Sequence, residues 1–96
     1  MKRKQIGNVM VDSGQLFVID PAHLDTWQHG DYTPDSAPDN SYARVVEAMF
    51  NGGGYGETEH GVAVSAEGDG VYPVYVTENE DGRVIKMEVV FAETEV

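Results

Sequence analysis

The side chains best able to do chemistry are concentrated in one stretch, where His23, Asp25, His29 and Asp31 follow one another closely. Imidazole nitrogens and carboxylate oxygens suit zinc or another first-row metal. His60, beside Glu57 and Glu59, could join them from further along the chain. The spacing matches no metal-binding motif, so these residues read as loop side chains, and neither a metal nor a cofactor is assigned. "EGDG" at 67–70 and "ENEDG" at 78–82 set carboxylates next to glycine but lack the ligand spacing of a calcium loop. Both read as turns.

Paired carboxylates are the other route to acid–base chemistry. Asp12, Asp20 and Asp69 all fall at expected strand ends. In a hairpin over 5–20 turning at Asp12–Gly14, six residues of strand separate Gly14 from Asp20, roughly 20 Å at about 3.3 Å each, so Asp12 and Asp20 should not pair. Asp12 reads as a turn residue. Asp20, next to a long loop and His23, is the one expected to carry function. No serine sits in G-x-S-x-G, and "GGGYG" at 52–56 lacks the G-K-[ST] ending of a phosphate loop. No catalytic residue is assigned, and the chain reads as non-enzymatic. Trp27, Tyr32 and Tyr55 add rings with hydrogen-bonding tips, a type favoured at interfaces. The candidate binding residues are therefore Asp20, His23, Trp27, His29, Asp31, Tyr32, Tyr55 and His60.

These residues must be positioned by a chain of 96 residues, enough for one domain over 1–96 with one modest core. The formal net charge is −11. Three of the six basic residues, Lys2, Arg3 and Lys4, lie at the start, so 1–4 is expected as a basic tail and 92–96 as a frayed one. Such acidity disfavours nucleic acid and anionic lipid and attracts basic protein surfaces. With no cysteine, no membrane-crossing apolar run and no signal-peptide stretch after "MKRKQIGN", the expectation is a cytoplasmic protein.

The apolar runs Ile6–Val11 and Leu16–Ile19, joined by Asp12-Ser13-Gly14, read as a hairpin that Pro21 terminates. Residues 21–40 hold three of the four prolines and form a long loop pinned by Leu24, Trp27 and Tyr32, with a helical turn at "PAHLDTW". "SYARVVEAMF" at 41–50 has helical spacing with Ser41 as N-cap, although "ARVV" would also serve as strand. The glycine-rich stretch 52–61 is either a flexible hairpin tip or a backbone that must come close to something. "VAVSA" at 62–66 reads as strand. The runs 71–77 and 83–91 form a second hairpin turning at Glu78–Gly82, with Pro73 marking an edge. Phe17, Ile19, Val74, Met87, Val89 and Phe91 are the expected core. The fold class is mostly β: a small antiparallel sheet or partly closed barrel of hairpins with at most one short helix, α+β being the alternative.

"VDSGQLFVIDP" and "GDGVYPVYVTENEDGRV" together resemble a group of short uncharacterised proteins from bacteria and their phages. Those share S-G-x-L-x-x-x-D-P near one end and G-D-G-x-Y-P-V-Y near the other. The resemblance covers about a third of the chain. It implies a β-rich fold, with the middle segment as strand, and a phage origin; it assigns no catalytic residue. Where that group often has Cys-Tyr after Asp-Pro, Ala22 and His23 stand here, so a thiol role at that point is absent. The functional reading is a small acidic binding protein, phage-encoded, that occupies a host protein with a basic surface in the host cytoplasm. The second reading is a small-ligand binder using 52–61 as a wall. The third is a metal-dependent or carboxylate enzyme built on Asp12, Asp20, His23 and His60.

Overall fold

The structure is a computed structural model describing residues 1–34 and 37–92. It is mostly β, with strands β1 (Lys2–Val11), β2 (Gln15–Ile19), β3 (Tyr55–Glu57), β4 (Gly61–Ser65), β5 (Gly70–Glu78) and β6 (Val84–Val89). One helix, α1 (Ser41–Asn51), and a 3₁₀ turn (Pro21–Thr26) complete the elements. The strands make two three-stranded antiparallel sheets, with no closed barrel among the described residues. The chain forms two compact units. The first joins Met1–Gly14 to Ala66–Val96, and the second is Gln15–Ser65.

In the first unit the order is β1-β5-β6. The expected hairpin over 71–91 is present. Its turn is held by Asn79, whose side-chain oxygen accepts from the N–H groups of Asp81 (2.9 Å) and Arg83 (3.1 Å), while Gly82 takes φ 81°. The expected hairpin over 5–20 is not: β1 pairs with β5 and β2 pairs with β4. Asp12–Gly14 instead carries the chain from one sheet to the other, with the Gly14 carbonyl accepting from Ala66 N–H (2.9 Å). Lys2, Arg3 and Lys4 are not a tail. They open β1 opposite Glu78, Thr77 and Val76. Of the expected tail 92–96, only Ala92 lies within the described residues.

Pro73 lies in the central strand rather than an edge. It is tolerated because its carbonyl accepts from Val90 N–H (3.2 Å), just past the end of β6, so its missing donor falls where that neighbour has run out. Val11 and Val76 are buried, but Met87 is 54% exposed, and Val74, Val89 and Phe91 are only half-buried. The expected apolar face fails at Ile85. Thr77 pairs with Lys86 and Glu78 with Val84, so Ile85 is a bulge that breaks the alternation.

The second unit sets α1 against the sheet β2-β4-β3. The segment 41–51 is helix, against the strand that the resemblance implied. Its N-cap is Asn40, not Ser41: the Asn40 side chain accepts from Ala43 N–H (2.8 Å). Ser41 ties the helix to the loop before it, donating N–H to the Gln28 carbonyl (2.7 Å) and accepting Gln28 N–H on Oγ (2.8 Å). At the other end Gly54 N–H reaches the Met49 carbonyl (2.8 Å) while Gly53 takes φ 76°, a Schellman closure that needs glycine. Helical spacing buries Ala43, Val45, Val46 and Met49. Val45 and Met49 form a core with Ala63, against which the half-buried Phe17 and Trp27 pack. The deepest packing is therefore helix on sheet, while Phe17 and Ile19, expected in the core, lie at its rim.

Candidate binding cleft

Within the second unit, the 3₁₀ turn, α1 and the β3–β4 turn enclose a cleft of about 260 Å³. Asp20 starts it indirectly. Its carboxylate accepts from Ala22 N–H (2.9 Å) and caps the 3₁₀ turn, with Pro21 at the first position. That turn presents His23, Thr26 and Trp27 to the cleft. Across it, the β3–β4 turn is closed by Thr58 N–H on the Gly61 carbonyl (2.8 Å) and presents Thr58, Glu59 and His60. The His23 and His60 rings stack, centroids 4.2 Å apart and 10° between planes. His60 Nε2 lies 3.9 Å from Glu59 Oε1. Ser41 and Arg44, one turn apart on α1, supply the third wall, and Phe17, Ile19 and Val45 the apolar floor. The Phe17 and Trp27 rings meet at 5.6 Å.

The cleft unites three of the candidate residues, His23, Trp27 and His60. His29 does not line the cleft; its ring lies 6.4 Å from the Trp27 indole and 5.1 Å from Tyr42. Asp31 and Tyr32 line a separate, more polar hollow with Asp39 and Asn40. There the Asp31 carbonyl accepts from Asn40 Nδ2 (3.0 Å), and the Tyr32 hydroxyl donates to Glu47 (3.3 Å). Tyr55 is 67% exposed and borders an open, apolar depression with Val62 and Val64. Asp20, expected to carry function, caps the 3₁₀ turn through Oδ1 and does not line the cleft. Arg44, Ser41, Thr26, Thr58 and Glu59 were not among the candidates. The helical spacing of Ser41 and Arg44 is the one signal that could have joined two of them.

The glycine-rich stretch is a close-approach backbone, and what approaches is the chain itself. A Cβ on Gly61 would strike the Val18 carbonyl and sit 3.0 Å from the Phe17 ring. Arg44 forms no ion pair among the described residues, although it is the one Lys or Arg in a unit that holds eight Asp and Glu. No group of three or more His, Asp or Glu able to hold a metal occurs among the described residues. Among those residues, no helix is long and apolar enough to cross a membrane. No family model matches the chain, and neither a curated protein nor a solved structure matches it.

Proposed function

We propose that this chain is a small acidic binding protein that captures a host protein through a basic surface, with the cleft of the second unit as its anchor pocket. The observation that carries this reading is the convergence of His23, Trp27 and His60 on one hollow in a strongly acidic unit. Binding energy at interfaces is concentrated where an anchor side chain fills a desolvated pocket, and rim charges govern encounter and salt dependence. Here Phe17, Ile19 and Trp27 supply apolar wall, the imidazole stack supplies flat surface with ring nitrogens, and Glu59 supplies negative charge. A volume of about 260 Å³ admits one large side chain. The phage origin that the resemblance implies fits a protein made to occupy a host component.

The same hollow favours a second reading, a small planar ligand lying against the imidazole stack with its anionic end on Arg44. The test is affinity capture from a bacterial lysate with the wild-type chain, His60→Ala and Trp27→Ala, at low and high salt. One protein captured by the wild type, weakened by both substitutions and by salt, supports the leading reading. Capture that survives both substitutions overturns the cleft as its seat. A small molecule retained in native mass spectrometry, and lost from Arg44→Ala, moves the assignment to the second reading.

A further inference from the structure

We propose that β6 is the self-association edge of this protein: two copies pair antiparallel through β6 about a two-fold axis at Met87. β6 is an outer strand of the sheet β1-β5-β6. Its Val84, Ile85 and Met87 are 58, 52 and 54% exposed. Exposed apolar edge strands are templates for pairing, and proteins blunt the edges they do not use. The opposite edge is blunted, because β1 carries Lys2, Arg3 and Lys4 and a bulge between Gln5 and Gly7. β6 carries no proline, and its one bulge, at Ile85, leaves Lys86 to Val89 regular.

The register follows from hydrogen-bond parity and charge. Val90 N–H bonds to the Pro73 carbonyl, so alternate residues 90, 88 and 86 turn their backbone groups towards β5. Met87 and Val89 turn theirs outward, free for a partner strand. Centring the axis on Lys86 or on Glu88 would set like charges face to face, which is destabilising. Centring it on Met87 gives a hydrogen-bonded Met87 pair flanked by two Lys86–Glu88 pairs, one on each side. Each copy already holds its Lys86 Nζ 3.8 Å from its own Glu88, so the partner's carboxylate is a small reorientation away. The interface is isologous and closes at two copies, since the outer β1 edges are blunted.

The chain has no cysteine, which makes the register directly readable. Met87→Cys should form a disulfide-linked dimer under mild oxidation, because directly opposite residues lie about 5.5 Å apart. Ile85→Cys should not, since its counterpart is displaced by four residues, roughly 13 Å. In sedimentation velocity the wild type should run at twice the 10.5 kDa chain mass. Lys86→Glu should be monomeric with an unchanged circular dichroism spectrum. A monomeric wild type at high concentration overturns the proposal, as does a dimer indifferent to Lys86→Glu. Cross-linking of Ile85→Cys in preference to Met87→Cys overturns the register.

Discussion

Glu88 is held by two cations in the folded chain. Arg3 Nε donates to it at 3.0 Å and Lys86 lies 3.8 Å away. The Arg3 hydrogen bond is the chief reason its carboxyl stays below the usual glutamate range, with the charge of Lys86 adding to it. The same guanidinium lies 3.7 Å from the centre of the Tyr75 ring. A depressed carboxylate stabilises the fold above its unfolded pKa and loses that contribution as pH falls through the lower folded value. Arg3→Met should therefore raise the Glu88 midpoint towards that of an ordinary glutamate in an NMR pH titration. An unmoved midpoint would place the cause elsewhere. Asp20 gives a second residue-scale prediction. Asparagine can still accept from Ala22 N–H, so Asp20→Asn should be near neutral, whereas Asp20→Ala should cost about 0.5–2 kcal/mol in urea unfolding. Equal losses would mean that charge, and not the cap, matters there.

At the scale of elements, α1 does most to order the second unit, because it brings Val45 and Met49 onto Ala63. Met49→Ala should cost about 2–5 kcal/mol, read as a lowered denaturant midpoint. Phe91, half-buried and packed edge-on against Tyr72 at 5.3 Å, should cost less than a full core aromatic when truncated. A Phe91→Ala loss larger than that of Met49→Ala would reverse this ranking. The pairing of β2 with β4 depends on backbone contact that only glycine permits. Gly61→Ala should therefore loosen the β2–β4 ladder, visible as faster amide exchange at Val18 and Val62 with β5 and β6 unaffected. Uniform exchange rates across both sheets would contradict it.

For the whole molecule, charge is the governing property. The formal charge of −11 is carried unevenly, with five of the six Lys and Arg in the unit that contains both chain ends. Self-repulsion of this size opposes compactness and is screened as the Debye length falls from about 30 Å at 0.01 M salt to about 3 Å at 1 M. The melting temperature should rise across that range. A flat or falling melting temperature would show that local ion pairs such as Arg3–Glu88 outweigh the net charge.

The sequence by itself determined five of the six strands, the 78–82 turn, the helical turn after Asp20 and the acidic character, because period-two alternation, turn glycines and charge are local or additive properties; β3 lay hidden in the glycine-rich stretch. It also indicated α1 through the spacing of Tyr42, Val45, Val46 and Met49, although the competing strand reading could be settled only by the packing of that face on Ala63. Two of the eight candidate residues, His23 and Trp27, reach the cleft for a local reason, since they share one turn. What only the tertiary structure decided is partnership. Two apolar runs beside a tight turn look like a hairpin in any local window, yet β1 pairs with β5 across 59 to 76 residues and β2 pairs with β4. Strand pairing is non-local, and the side chains that choose between partners lie far apart in the chain. The stack of His23 on His60, and the presence of Arg44 beside them, exist only once those pairings are made.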